Sequence, residues 1–215
     1  MISAVIFDMD GVLINSEPVH YEIWKQIFSE RGLEIDFEHY KGCIGSTVKR
    51  LMELILEGYG RDFFGDDTLP ARFREVKTQW IYEKGIPKIE GVPEAIAYLK
   101  EKGYLLAVAS SSPQDYIEFC TKQLGIDHYF DVLFSAERVS RPKPAPDVFL
   151  AAAEALGVSP EHCLVVEDSY NGSRAAKAAG MYCMGFQNPD SGDQDLSAAD
   201  QIFYPFSDLI RKSGL

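Results

Sequence analysis

Two aspartates one residue apart, Asp8 and Asp10, close the apolar run at residues 4–7 and are followed by Gly11. Side chains at i and i+2 of extended backbone point to the same side, so a strand ending here carries both carboxylates toward one crevice. One carboxylate can attack an electrophile while its neighbour moves protons. Read alone, the pair is equally two solvated loop acids. Two acids so close repel each other, and a cation between or beside them is expected. A second acidic pair, Glu167 and Asp168, ends another apolar run at residues 163–166. Oxygen ligands of this hardness suit Mg²⁺, which keeps several waters and takes one or two carboxylates. Asp168 or Ser169 also reads as the N-cap of a helix around residues 171–179. That alternative explains one acid at one strand end, not two strands that end alike.

Two further stretches complete the set. At residues 108–113 a strand pattern runs directly into Ser110, Ser111 and Ser112 and then Pro113, a helix start. Hydroxyls and backbone N–H groups at a helix N-terminus make an anion site, although each serine is also a simple N-cap. Lys143 stands in Ser140-Arg-Pro-Lys-Pro-Ala-Pro-Asp147, where Pro142, Pro144 and Pro146 fix their own φ and bias their neighbours toward extended backbone. A lysine in such a linker is usually solvated, yet stiffening is what a point cation aimed at phosphate needs. Taken together, the acids, serines and lysine amount to a Mg²⁺-assisted phosphoryl-transfer site.

The elements that must position these groups alternate. Continuous apolar runs at 4–7, 105–109, 132–134, 163–166 and 181–186, with a weaker one at 201–204, suit parallel strands buried on both faces. Helix signals separate them: Gly91-Val-Pro-Glu94 opens one helix and Lys102-Gly103 closes it, while Ser112-Pro113 and Ala145-Pro-Asp147 open others. Strand alternating with helix predicts right-handed βαβ units in a three-layer α/β sandwich with a parallel sheet. Residues 16–85 break the rhythm with helical patterns only, at 18–31, 47–59 and 69–84. Val19, Ile23, Trp24, Ile27 and Phe28 form an apolar stripe in the first. The expected organisation is a core of residues 1–15 and 86–215 and an inserted helical domain of residues 16–85, which follows the carboxyl end of the first strand and is positioned to act as a lid.

Bulk composition narrows the partners. With 215 residues, 46% hydrophobic, the chain is long enough for a real core. A net charge of −12 argues against nucleic acid and against an anionic membrane surface. No long apolar stretch or basic leader is readable, and Cys43, Cys120, Cys163 and Cys183 lack CxxC spacing. A cytoplasmic monomer acting on a small phosphorylated molecule is expected.

In this order and spacing, DMDGV, VASSS, RPKPAPD and VVEDSYNG resemble the four signature stretches of the haloacid dehalogenase superfamily, in its β-phosphoglucomutase-like branch with a helical cap after the first strand. The resemblance spans essentially the whole chain. It implies a Rossmann-like core with strand order 54123, a mobile cap, Mg²⁺ and an aspartyl-phosphate intermediate. By matching position, Asp8 is the implied nucleophile and Asp10 the general acid and then base, with Ser110, Ser111 and Lys143 at the phosphoryl oxygens. Asp8, the Asp10 backbone carbonyl, Glu167 and Asp168 make the implied metal site. Asp10 favours phosphoryl transfer, since the dehalogenases that resemble this core lack the second acid.

The cap separates hydrolase from mutase. His20 and Trp24 resemble residues at those places in the mutase, and cap packing explains both equally or better. The stretch from Tyr40 through Gly42 to Gly45 resembles the mutase's substrate loop, but where that loop has an arginine three residues beyond its first glycine this chain has Gly45. Lys49, Arg50 or Lys77 are the available substitutes. The departure favours a phosphatase acting on a sugar or polyol phosphate over a sugar phosphate mutase. A phospho-receiver domain is a third reading, opposed by the helical insert, the length and the position of Asp8 at the start of the chain.

Overall fold

The computed structural model describes residues 1–44 and 48–215. In chain order, β1 (Ala4–Phe7) is followed by α1 (Glu17–Ser29), α2 (Phe37–Tyr40), α3 (Val48–Tyr59) and α4 (Leu69–Lys84). Then come α5 (Val92–Glu101), β2 (Leu105–Ser110), α6 (Gln114–Leu124), β3 (Val132–Ser135) and α7 (Asp147–Leu156). The chain closes with β4 (Cys163–Glu167), α8 (Tyr170–Ala178), β5 (Tyr182–Phe186), β6 (Gln201–Phe203) and α9 (Asp208–Ser213). It divides into two compact units, Met1–Asn15 with Lys88–Leu215, and Ser16–Pro87.

The first unit is a Rossmann-like α/β fold. Its six strands pair in the order β3-β2-β1-β4-β5-β6, all parallel. The five-strand order implied by the resemblance is present, with β6 added beside β5. Apolarity without alternation has its reason in burial on both faces. One face of the sheet, Ala4, Ile6, Ala107, Ala109, Cys163 and Val165, packs on Val148, Phe149, Ala152 and Ala153 of α7 and Ala175 and Ala176 of α8. On the other face, Val5, Phe7, Leu106, Val108, Leu164 and Val166 are as fully buried, and α5 and α6 pack beside β2 and β3. Small residues on α7 and α8 let these helices approach the sheet closely. All four cysteines are unpaired and buried in this or the inserted unit, as expected of core thiols.

The strand order reverses at β1, which has β2 on one side and β4 on the other. Parallel sheets place ligands outside the carboxyl ends of strands at such a switch point. Two strands reach further toward that edge than their apolar patterns indicate: Ser110 is the last residue of β2 and Glu167 the last of β4. Both are 1% exposed, so the ladder delivers these polar groups into the interior.

The inserted unit has its own core. The α1 stripe of Val19, Ile23, Trp24, Ile27 and Phe28 packs with Leu51, Met52, Ile55, Leu69 and Val76. Helix α2 has no apolar period to announce it; Asp36 starts it by accepting the His39 N–H at 2.9 Å. Among the described residues no helix is long and apolar enough to cross a membrane.

Because Phe149 is fully buried between α7 and the central strands, Phe149→Ala is expected to cost about 3–5 kcal/mol. A urea titration followed by circular dichroism should show the loss as a lower midpoint; a midpoint equal to wild type would contradict this packing.

Candidate active site

The turn after β1 is built around one carbonyl. Met9 O accepts the N–H groups of Val12, Leu13 and Ile14 at 3.3, 2.8 and 3.1 Å, while Gly11 N–H donates to Ile14 O at 2.8 Å. Gly11 has φ +83°, a conformation that glycine adopts without strain. The tight turn buries Met9 and presents Asp8 and Asp10 on either side of it. Asp8 itself continues the ladder, its N–H donating to Val166 O at 3.0 Å, so its carboxyl emerges directly at the β1–β4 boundary.

Lys143 closes on that boundary from the proline-rich loop. Its Nζ donates to Asp8 Oδ1 at 2.6 Å and to Glu167 Oε1 at 2.9 Å, with the side chain 8% exposed. The ammonium also lies 4.7 Å from the centre of the Phe149 ring, a cation–π contact in a water-poor setting. The second carboxylate oxygen of Glu167 accepts Ser169 N–H at 2.6 Å and Ser169 Oγ at 2.9 Å, and Ser169 Oγ in turn accepts the Gly172 N–H that begins α8. Thus Ser169 is the N-cap, and Glu167 is locked by lysine on one side and cap on the other. Asp168 accepts Ser191 Oγ at 2.5 Å on its Oδ2.

On the β2 side, Ser110 Oγ accepts Ser112 N–H at 3.1 Å, which leaves its O–H to donate. Ser112 Oγ donates to Asp10 Oδ2 at 2.7 Å, and Ser135 Oγ at the end of β3 braces the loop by donating to Ser112 O at 2.7 Å. Ser111 is exposed at the same strand end. The core residues singled out in the sequence therefore meet at one edge: Asp8, Asp10, Ser110, Lys143, Glu167 and Asp168, with Ser111 beside Ser110.

Burial sets the electrostatics. It pushes the Asp8 carboxyl up to about 7; Lys143 pulls the other way, and Glu167 and Asp10 add to the rise. For Lys143 burial opposes the charge, but the carboxylates of Asp8 and Glu167 outweigh it and hold the ammonium above its ordinary pKa. Lysine charged and Asp8 sensitive is the direction expected where carboxylates outnumber the ammonium. Asp8, Glu167 and Asp168 each offer an oxygen within 4.8 Å of the others, and all three are buried. A hard divalent cation fits this donor set and would supply the missing positive charge.

The insert's named residues lie in its own unit. His20 Nδ1 stands 3.7 Å from Glu17 Oε1, and its ring meets Phe73 edge-on at 5.4 Å. Trp24 belongs to the insert core. Gly42 sits in the short turn Lys41–Cys43, and Lys77 is half-buried on α4. Arg50 pairs with Glu53 and Glu57 of its own helix. Gly45 lies outside the described residues.

The sequence pattern marks Gly11 as the end of the first strand and includes Gly172 in VVEDSYNG, but it reveals neither their closeness to Asp168 and Glu167 nor the partner of Ser112, and it does not single out Asn188 or Ser191. The two glycines had a physical signal: each directly follows or lies near an acid at a strand end. A Cβ at residue 11 would come within 1.9 Å of Asp168 Oδ2, and one at residue 172 within 1.6 Å of Glu167 Oε1. Asn188 and Ser191 gave no signal, being loop residues without periodicity.

Fold and site define a class: a Rossmann-like α/β protein with a lysine-bridged acidic centre at the topological switch point of its sheet. A family model described as haloacid dehalogenase-like hydrolase matches residues 5–186, and the chain belongs to that family. It is 34% identical over 215 residues to hexitol phosphatase B of Escherichia coli strain K12, covering 98% of this chain and 96% of that protein. It is 33% identical over 180 residues to the fructose-1-phosphate phosphatase YqaB of the same strain, covering 83% and 93%. Among solved structures, β-phosphoglucomutase from Clostridium difficile superposes with a TM-score of 0.77 at 25% identity, covering 97% of this chain and 93% of that one.

In a helix, alanine is ordinarily favoured over glycine by about 1 kcal/mol. At residue 172 the order should reverse, because the Glu167 carboxylate is held by Lys143 and Ser169 and cannot move aside. Gly172→Ala is expected to lower the melting temperature; a higher one would show that Glu167 is free to shift.

Proposed function

We propose that this hydrolase is a Mg²⁺-dependent phosphatase that releases inorganic phosphate from a small sugar or polyol phosphate through an aspartyl-phosphate intermediate on Asp8. The observation that carries the reading is the Lys143 ammonium bound to Asp8 at 2.6 Å and Glu167 at 2.9 Å in a buried, carboxylate-rich centre. With carboxylates outnumbering the ammonium, this centre would accept a phosphate once a divalent cation supplies the missing positive charge. Kinship with the hexitol and fructose-1-phosphate phosphatases supports the substrate class.

Asp8, Asp168 and Glu167, with the Asp10 backbone carbonyl, would hold Mg²⁺. Bound there, the metal would neutralise phosphate charge and keep Asp8 ionised at neutral pH. In the first step an Asp8 carboxylate oxygen bonds to phosphorus, the bond from phosphorus to the alcohol oxygen breaks, and Asp10 gives that oxygen its proton. In the second, Asp10 takes a proton from water as the water oxygen bonds to phosphorus, and the acyl-phosphate bond breaks to restore Asp8. Ser112 orients Asp10 through its 2.7 Å hydrogen bond. Lys143, Ser110 and Ser111 bind the phosphoryl oxygens, which stabilises the charge that spreads over them during transfer.

Likeness to the mutase structure supports a second reading, in which a sugar hydroxyl replaces water as acceptor. Products distinguish the two. Net release of inorganic phosphate from hexose or hexitol phosphates is expected, whereas interconversion of 1- and 6-phosphates primed by a bisphosphate, without net phosphate loss, would favour the mutase.

Asp8→Asn is expected to bring phosphate release to background; a wild-type rate would overturn the assignment. Asp10→Asn should slow turnover by about 10²–10⁴-fold and accumulate a phosphoprotein visible by intact-mass spectrometry as an added phosphoryl group. Removal of Mg²⁺ by EDTA should abolish release, and added Mg²⁺ should restore it; full activity in EDTA would refute the metal requirement.

A further inference from the structure

We propose that Ser191, on the loop between β5 and β6, is a positioning residue for the metal site, and that Asn188 holds that loop against the β1 turn so that Ser191 can act. The proposal rests on the reading of Asp168 as a Mg²⁺ ligand. A connecting loop ordinarily runs over the surface with its polar groups in water. This one buries two polar side chains, Asn188 at 6% and Ser191 at 3% exposure, which is costly unless each is hydrogen-bonded. Both are, and their partners are the two sides of one contact.

Ser191 Oγ donates to Asp168 Oδ2 at 2.5 Å. That same oxygen is the atom nearest to a Cβ built at Gly11, so Asp168 is wedged between the β1 turn and the loop. Asn188 Nδ2 donates to Gly11 O at 2.9 Å from the opposite end of the loop segment. The segment is braced internally: Asn188 O accepts Ser191 N–H at 3.1 Å, and Asn188 Oδ1 accepts Asp190 N–H at 2.9 Å. It is also tied to the residue at which the first unit's chain leaves for the insert, because Asn15 Nδ2 donates to Asp190 Oδ2 at 2.6 Å and Asn188 Nδ2 reaches Asn15 Oδ1 at 3.3 Å.

The consequence is orientation. A carboxylate at the end of a strand rotates about its side-chain bonds, and only some orientations aim an oxygen at the position shared with Asp8 and Glu167. A hydroxyl fixed by a braced loop removes that freedom before the cation arrives. Partners that orient metal ligands in this way typically contribute 10–100-fold in metal affinity. A purely structural tether would change folding stability and leave affinity alone.

Two substitutions of equal shape separate these roles. Ser191→Thr keeps the hydroxyl and Ser191→Val removes it, so any steric cost is shared. Mg²⁺ is titrated calorimetrically into the EDTA-treated full-length proteins, and melting temperatures are recorded without metal to match the variants in stability. Ser191→Val is expected to bind Mg²⁺ at least about tenfold more weakly than Ser191→Thr, and its Mg²⁺-induced rise in melting temperature should shrink correspondingly. Asp193→Asn, an exposed change on the same loop, should bind as wild type. Equal Mg²⁺ affinity in the Val and Thr variants, with wild type binding normally, overturns the role of Ser191 alone. A wild-type protein that binds no Mg²⁺ overturns the metal reading and this proposal with it.

Discussion

One ammonium organises the acidic edge of the sheet. Lys143 is held by carboxylates from two different strands, Asp8 beyond β1 and Glu167 at the end of β4, and without it those acids would face each other in a buried space. Removing one partner of a buried ion pair typically costs 3–5 kcal/mol, because the remaining charges lose compensation. The surroundings follow from keeping this lysine in place. Three prolines stiffen its loop, Phe149 lies under the ammonium, and the cap of α8 takes the second oxygen of Glu167. The last contact joins helix initiation to site geometry, so one Ser169 hydroxyl both caps α8 and fixes Glu167.

The sheet provides the precision that loops would not. Asp8 follows a strand paired on both sides, Ile6 lying level with Ala107 on β2 and Val165 on β4. A slip of one residue in either pairing would turn the facing side chains over and pull Glu167 away from Lys143. Because these strands are apolar on both faces, polarity alone does not forbid the slip; the fit of close-packed side chains of different size on each face and the polar residues that end the strands, Ser110 and Glu167, hold the register. Fold stability and the geometry of the acidic centre therefore depend on the same registers.

How much of this is legible in the sequence depends on whether a residue's place is set by periodicity. Asp8, Ser110, Lys143 and Glu167 each end or follow a recognisable strand, or sit among prolines, so their convergence on one edge follows from parallel topology. Ser110 and Glu167 lie inside their strands rather than just beyond them, a one-residue difference that apolarity does not register because both are polar. Helix α2 depends on a single Asp36 cap and carries no period. Asn188 and Ser191 are separated from Gly11 and Asp168 by 177 and 23 residues, and only folding brings them into contact. Their meaning is tertiary, and no local rule of composition reveals it.

The four carboxyl groups at this edge belong to the first unit, as do the serines and the lysine that engage them. The insert closes a separate apolar cluster, in which Phe28 and Trp24 of α1 pack against α3 and α4. The two apolar clusters share no buried residue. The groups at the acidic edge, by contrast, are bound closely to one another: Gly11 is constrained by Asp168, Gly172 by Glu167, and Glu167 by Lys143. The acidic centre is thus held in place by mutual constraint among residues of the first unit.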